Sequence, residues 1–318
     1  AGNKLYRYDM PLASPAMVAG GRNLLVYDTD GKTLAMFDAV SKVLEKSFDY
    51  DVKAACLNDL GCFAVITAEK TYRSGVVVFD SDGKELFRWM SPDKYLTGVA
   101  LNANATVVTC TALTNKDGAF CTELVSYRTA TGEKIASRTL EDTLALSIGY
   151  AAKDAYVYVL SDNAFLSFDR ELNDIGRASY NPENARFFRA FDDVFLIAES
   201  NNLSGSSMTV RAYGYDASPL FECSREETVL DACYRDRTLY LLERDRLSVY
   251  DYGTEEPILT PLVSVPLDRQ YRAVRADAYE RYVLIGTKKA SRNSLAALLS
   301  DITEQNAGQD AATSSNTN

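Results

Sequence analysis

The chain has 318 residues and a formal net charge of −10, so non-specific binding to nucleic acid is not expected. It contains no histidine, which excludes Ser-His-Asp and Cys-His catalysis and histidine-ligated zinc. No apolar run approaches the roughly 20 residues that a membrane-spanning helix needs, and the 20 Tyr and 13 Phe favour β-structure.

A β-hairpin recurs along the chain, first as VYDTDGKTLAMF and most clearly as GVVVFDSDGKELFRW, residues Gly75–Trp89. In that copy two alternating runs, typical of half-buried strands, flank the turn residues Asp82 and Gly83. The turns at Asp28–Gly31 and Asp80–Gly83 have the pattern D-x-D-G, which also begins calcium-binding loops. Strand residues follow each glycine, whereas a calcium loop needs further acids there. We interpret both as hairpin turns and expect no metal site.

Seven units of this kind follow one another, and each opens with a further short strand. Their spacing is roughly 40 residues, the period of a four-stranded propeller blade. The sequence therefore predicts an all-β fold, a seven-bladed β-propeller of four-stranded blades. The opening strands begin near Ser14, Val52, Leu96, Leu144, Ala185, Val229 and Tyr271.

The two ends of the chain predict how the propeller closes. The seventh unit has only three predicted strands, and the strand-like run Lys4–Met10 belongs to no unit. We expect this N-terminal strand to lie beside Ser294–Ser300 and complete the last blade, because an open blade edge invites aggregation. Residues 1–302 would then form one domain. Residues 303–318, which are small and polar, would form a disordered tail.

The hairpin GVVVFDSDGKELFRW resembles the repeat of quinoprotein (PQQ-like) propellers, and LVSYRTATGEKIASR and VYDTDGKTLAMF resemble it more weakly. The whole chain is also similar to an uncharacterised family of bacterial propeller domains that an N-terminal membrane anchor holds outside the cytoplasm. This similarity implies an extracytoplasmic module at the cell surface, with membrane contact only through an anchor or signal before Ala1. A further relative is the outer-membrane assembly lipoprotein propeller, a protein-binding scaffold.

Two features separate the chain from quinoprotein dehydrogenases. Those enzymes repeat a Trp-containing docking motif in nearly every blade, whereas Trp89 is the only tryptophan here. Their cofactor pocket uses an adjacent cysteine pair, and no two cysteines of this chain are adjacent. We therefore expect neither a bound cofactor nor dehydrogenase activity.

Basic residues recur in the opening strands, which line the central channel of a propeller. Aligning the seven strands brings these residues into two columns and predicts a local basic site on an acidic protein. Arginine binds carboxylate and phosphate bidentately, so an acidic sugar, a peptide carboxylate or a phosphate would suit this site. The candidate ligand-binding residues are Lys53, Arg186, Arg189, Asp231, Arg272 and Arg275.

The alternative is that these arginines extend to solvent or pair with acids of neighbouring blades. The acids considered are Asp192, Asp231, Asp236 and Asp277.

Six cysteines form three pairs that are close in sequence, and each pair lies across a predicted turn. They could form local disulfides in an oxidising compartment, or they could be buried thiols within strands. The disulfide candidates are Cys56 with Cys62, Cys110 with Cys121, and Cys223 with Cys233.

These observations favour a monomeric, non-enzymatic binding module whose partner is a protein, an anionic small molecule or a glycan. The alternative is a carboxylate-based enzyme that acts on glycans, which would need two acids in one channel mouth. The paired acids of the sequence do not suit this role, because neighbouring residues of a strand point to opposite faces. These pairs are Asp192-Asp193, Glu226-Glu227 and Glu255-Glu256.

Overall fold

The computed structural model describes residues 6–252, 261–276, 281–287 and 290–296. These residues form 27 strands in seven antiparallel sheets, and within each sheet the strands follow chain order. Contacts divide the chain into two compact units, which we call the N-terminal unit (residues 3–182 and 214–218) and the C-terminal unit (183–213 and 219–318, with 1–2). Among the described residues, no helix is long and apolar enough to span a membrane.

The N-terminal unit contains the first four sheets. Sheet 1 consists of β1 (Pro15–Gly20), β2 (Asn23–Asp28), β3 (Thr33–Phe37) and β4 (Lys42–Ser47). Sheet 2 consists of β5 (Val52–Leu57), β6 (Phe63–Ala68), β7 (Ser74–Phe79) and β8 (Glu85–Ser91). Sheet 3 consists of β9 (Tyr95–Leu101), β10 (Val107–Lys116), β11 (Ala119–Arg128) and β12 (Lys134–Leu140). Sheet 4 consists of β13 (Ala145–Ala151), β14 (Tyr156–Ser161), β15 (Ala164–Phe168) and β16 (Asp174–Ser179).

The C-terminal unit contains the other three sheets. Sheet 5 consists of β17 (Ala185–Ala190), β18 (Phe195–Ser200), β19 (Met208–Tyr213) and β20 (Pro219–Arg225). Sheet 6 consists of β21 (Val229–Arg235), β22 (Thr238–Glu243), β23 (Arg246–Asp251) and β24 (Val263–Pro266). Sheet 7 consists, in its described part, of β25 (Ala273–Ala276), β26 (Arg281–Ile285) and β27 (Ala290–Ser294).

The opening strands of all seven predicted units are present as the first strands of the seven sheets. The hairpin GVVVFDSDGKELFRW forms β7 and β8, and its turn is closed by the Gly83 N–H, which donates to the Asp80 carbonyl oxygen at 3.0 Å. Gly83 has a φ of 79°, the left-handed conformation that glycine adopts without strain. The Asp80 carboxylate accepts the N–H groups of Asp82 and Lys84, as expected for a hairpin turn.

The prediction that this hairpin is half-buried is wrong for β7, which is buried at all six positions. Val77 and Phe79 pack in a core cluster with sheet 1, whereas Val76 and Val78 pack in a cluster with sheet 3. A strand in the middle of a stacked sheet has apolar neighbours on both faces, so an apolar residue fits at every position. Similar clusters join sheets 3 and 4, sheets 5 and 6, and sheets 6 and 7.

The predicted closing strand is not formed by the part of the N-terminal run that the structure describes. Residues 6–10 have no strand structure. The Tyr8 ring lies 5.3 Å from that of Phe37 in sheet 1, and the Tyr6 hydroxyl donates to the Asp38 carbonyl oxygen at 3.0 Å. The other residues of this prediction, 4–5 and 297–300, and the predicted tail, 303–318, lie outside the described residues.

Candidate functional site

A β-bulge recurs near the start of the first strand in five of the seven sheets. In each case one residue has no cross-strand partner, so the register shifts by one between its neighbours. A bulge bends the strand and redirects a side chain, and all five of these side chains are exposed. The bulged residues are Lys53, Thr97 and Leu146 in the N-terminal unit and Arg186 and Leu230 in the C-terminal unit.

The bulges could not be recognised in the sequence, because an extra residue in a strand becomes visible only when it is counted against the residues of the partner strand. Four bulged residues nevertheless fall in one column of the aligned opening strands. In sheet 4 that column holds Ala145, one residue before the bulged Leu146.

Lys53 and Arg186 were predicted to share one site, but they lie in different compact units. Each side chain contacts polar groups of its own unit. The Lys53 ammonium group forms an ion pair with Asp30. The Arg186 Nη1 donates to the carbonyl oxygens of Glu183 and Ala185 at 3.1 and 3.2 Å. Arg272 is exposed, and its side chain has no partner among the described residues.

The other three predicted residues form one cluster on the first strands of sheets 5, 6 and 7. Asp231 is fully buried and its side chain lies between Arg189 and Arg275. Its Oδ1 accepts from Arg189 Nε at 2.8 Å and lies 2.6 Å from Arg189 Nη2, and its Oδ2 accepts from Arg275 Nη1 at 2.7 Å. Oδ2 also accepts the Val274 N–H at 3.0 Å. The carboxylate is thus fully hydrogen-bonded, as a buried charge requires.

The two guanidinium groups are not fully used by this cluster. A guanidinium has five N–H donors. Arg275 Nη1 donates to Asp231 and to the Val274 carbonyl oxygen, so Nε–H and both Nη2 hydrogens have no partner in the part of the chain that the structure describes. The Arg275 side chain is 50% exposed. One edge of its guanidinium is therefore an open, planar pair of donors.

The cluster partly confirms the alternative interpretation, in which the arginines pair with acids of neighbouring sheets. Of the four acids considered, Asp231 pairs with two of the arginines. Asp236 instead pairs with Arg235 at 3.6 Å, and Asp192 has no ion pair within the described ranges. Asp277 lies outside those ranges.

The predicted disulfides are not formed, since all six cysteines are free thiols. Cys110 lies opposite Val125 and Cys121 lies opposite Thr114, so four residue pairs of the ladder separate the two sulfurs. This corresponds to about 13 Å along the strands, well beyond the reach of a disulfide. Four of the thiols are buried and those of Cys56 and Cys62 are partly buried. Desolvation raises the pKa of Cys56 to about 12 and also raises that of Cys110.

Two buried glutamates were not singled out in the sequence. Glu243 ends the second strand of sheet 6 and is fully buried, where it accepts from Arg225 Nε at 2.6 Å and Ser248 Oγ at 2.9 Å. Glu199 has the same position in sheet 5 and pairs with Arg211. Because both carboxylates bond to residues of their own or the adjacent sheet, we interpret them as structural pairs.

Acids that could serve glycan hydrolysis occur in one cleft of the N-terminal unit. This cleft of about 240 Å³ is lined by Glu69, Glu85 and Arg88, among others. Hydrogen bonds from Arg88 lower the pKa of Glu85, whereas a general acid needs a raised pKa. Glu227 pairs with Arg246 at 2.8 Å. No group of three or more potential metal ligands occurs among the residues that the structure describes.

Residues 1–258 match the family described as "Family of unknown function (DUF5711)". The chain belongs to this family. A comparison with curated proteins gives no match.

Several solved structures are similar to the chain. The β-propeller domain of Myceliophteria thermophila Cps50 (Swd1) has a TM-score of 0.52 at 11% identity, over 90% of this chain and 98% of that one. BamB from Moraxella catarrhalis has a TM-score of 0.50 at 12% identity, over 87% and 83%. Kuenenia stuttgartiensis hydrazine synthase has a TM-score of 0.57 at 12% identity, over 93% and 99%.

At such low identity these similarities show the fold alone, and the fold is a β-propeller. One of the three similar proteins is named as an enzyme and one as a β-propeller domain. The fold therefore does not decide whether this chain is catalytic.

The thiol assignment predicts slow labelling of the native protein by iodoacetamide. With a pKa of about 12, only about one Cys56 in ten thousand is a thiolate at pH 8. We expect Cys56 and Cys110 to react last in the native protein, and all six cysteines to react in urea without reductant. Mass spectrometry measures both results. Cysteines that become reactive only after reduction would contradict the assignment.

Proposed function

We propose that the chain is a non-enzymatic binding module and that Arg275, held by Asp231, binds the carboxylate of an anionic ligand. The open edge of the Arg275 guanidinium carries this proposal. Its Nε–H and one Nη2–H point in the same direction, and this arrangement matches the two oxygens of a carboxylate. Asp231 holds Nη1 from the buried side, so the open edge is oriented before the ligand arrives.

The charge of the cluster supports an anionic ligand. Two guanidinium groups face one carboxylate, which leaves one positive charge in excess. The Arg189 side chain is one-third exposed, with its guanidinium 5.1 Å from the Phe187 ring, so it can add further donors to the same ligand. A single excess charge suits a monoanionic carboxylate better than a phosphate dianion.

The non-enzymatic part of the proposal rests on the acids and bases available. The sequence has no histidine, and Arg88 lowers the pKa of Glu85 in the cleft that holds two glutamates. The second candidate function, a carboxylate-based glycan enzyme, is favoured only by the presence of Glu69 and Glu85 in that one cleft. Release of reducing ends from a panel of polysaccharides, abolished by Glu69→Gln, would establish the second candidate instead.

Replacing Arg275 tests the binding site directly. The probes for calorimetry are D-glucuronate, N-acetylated peptides with a free C-terminus, and inorganic phosphate. We expect binding of at least one of the two carboxylate-bearing probes. We expect Arg275→Ala to weaken its binding at least about tenfold, because charge-assisted bidentate pairs are among the stronger hydrogen bonds. Arg275→Lys should lose most of the affinity as well, because an ammonium group cannot form the planar pair.

Arg269→Ala is the matched control, since Arg269 is an exposed arginine of the same unit that pairs only with its neighbour Asp268 within the described residues. Its affinity should equal that of the wild type. Carboxylate binding that persists in Arg275→Ala, or a panel in which only phosphate binds, would refute the proposed site.

We also propose that the seven sheets are seven blades of one closed ring. The support is that seven sheets follow in chain order and that the match to a β-propeller domain extends over 90% of this chain. Small-angle X-ray scattering should then give a radius of gyration of about 20 Å, the value for 318 residues in one compact body. A scattering curve of two separated bodies would contradict the closed ring.

For the location of the protein, we propose the outside of the cytoplasmic membrane, at the cell surface. The support is the similarity of the whole sequence to anchored extracytoplasmic propellers. Protease added to intact cells that express the natural gene should degrade the protein, while a cytoplasmic marker survives. Protection equal to that of the marker would contradict this location.

A further inference from the structure

The second and third strands of sheet 3 extend beyond their neighbours. β10 and β11 have ten residues each and pair along their whole length. The first strand, β9, pairs only as far as Leu113, and the fourth strand, β12, pairs only from Thr122. Residues 114–121 therefore form a two-stranded extension that no other strand of the sheet covers.

One face of this extension turns toward sheet 4. Thr122 Oγ1 donates to the Thr143 carbonyl oxygen at 2.8 Å and accepts the Ala145 N–H at 2.9 Å. Side chains two residues apart on a strand share a face, so Phe120 is on the same side as Thr122. Leu144 lies between the two residues that bond to Thr122. The backbone therefore places Phe120 and Leu144 near each other, where the first strand of sheet 4 begins.

Four large apolar side chains are exposed where the first strands of sheets 3 and 4 begin. Tyr95 lies in the same cross-strand row as Leu113 and Thr122, and Leu146 is the bulged residue of β13. The exposed fractions are 52% for Tyr95, 63% for Phe120, 40% for Leu144 and 62% for Leu146. We call these four residues the apolar ledge.

One residue of the ledge, Tyr95, is held in place. Arg73 Nη1 donates to the Tyr95 hydroxyl at 2.9 Å, and its guanidinium lies 5.4 Å from the Tyr95 ring centre. The position of the Tyr95 side chain is therefore fixed before any partner binds. Large exposed apolar patches on soluble proteins commonly bind other proteins.

The charges around the ledge are mostly acidic. Asp117 is in the turn that leads to Phe120, Glu141 and Asp142 precede Leu144, and the Asp162 carboxylate accepts the Leu144 N–H at 3.1 Å. Two basic residues stand against these four acids: Lys116, which pairs with Glu141, and Arg73, which contacts Tyr95. The rim therefore carries an excess of negative charge, within a chain whose net charge is −10.

We infer that the apolar ledge binds a segment of a partner protein that places a large apolar side chain between lysine or arginine residues. The apolar residue would pack against Phe120 and Leu146, and the basic residues would face the acidic rim, because complementary charges favour encounter and specificity. A second copy of this chain would bring the same acidic rim and be repelled. An anionic membrane surface would be repelled for the same reason.

A random linear peptide library displayed on phage, selected against the intact chain, tests this inference. We expect selected peptides with an aromatic or aliphatic residue flanked by lysine or arginine. The double variant Phe120→Ser with Leu146→Ser should weaken their binding at least about tenfold. Asp117→Asn with Asp142→Asn should weaken it about threefold and reduce its dependence on salt. Asparagine also tolerates the left-handed φ of both aspartates, so the backbone is unchanged.

Val43→Ser with Ile175→Ser is the control, because both residues are exposed apolar positions of the same unit outside the ledge. Its binding should match that of the wild type. The inference is overturned if no selected peptide depends on Phe120 and Leu146, or if the dependent peptides have no basic residues. A dimer of the wild type that Phe120→Ser with Leu146→Ser dissociates, measured by sedimentation, would make a second copy the occupant and would also overturn it.

Discussion

Burial of both faces of each sheet is the constraint on which this structure depends. A four-stranded sheet alone has two apolar faces and cannot protect both, so each sheet packs on the next within its unit. The middle strands are consequently buried on both faces, as β7 shows, whereas a first strand such as β1 keeps one side exposed. Polar groups that bind a ligand can therefore be placed on the first strands and in the turns without disturbing the core.

The positions of the first strands could be predicted from the sequence, because the hairpin repeat gives their spacing and the turn residues mark their ends. The bulges could not be predicted, because a bulge is defined by the number of residues in the partner strand. Lys53 and Leu146 owe their exposure to this extra residue, which turns the side chain away from the regular alternation. The long β10–β11 hairpin was also not anticipated, since residues 114–118 of its extension are polar and end in Asp-Gly, a pattern typical of a loop.

The candidate site was predicted in part, and the success has a physical cause. Arg189 and Arg275 occupy equivalent positions of the opening strands of sheets 5 and 7, on either side of the opening strand of sheet 6, so a correct repeat length brings them close. Asp231 is one strand away from each of them, and only the structure shows that its carboxylate is fully buried between them. Lys53 could not be assigned correctly from its column alone, because a flexible side chain pairs with whichever acid is nearest, here Asp30.

The role proposed for Arg189 and Arg275 follows from the number of charges and hydrogen-bond donors in their cluster. If each guanidinium had its own buried carboxylate, the cluster would be neutral and its donors would be used, as in an ion pair that only joins strands. Here one carboxylate serves two guanidinium groups, and its two oxygens accept three hydrogen bonds and a close ion-pair contact from Arg189 Nη2. The donors of Arg275 that have no partner among the described residues are left for water or another anion. The same buried acid that stabilises the junction of three strands thus leaves an oriented cationic edge open to solvent.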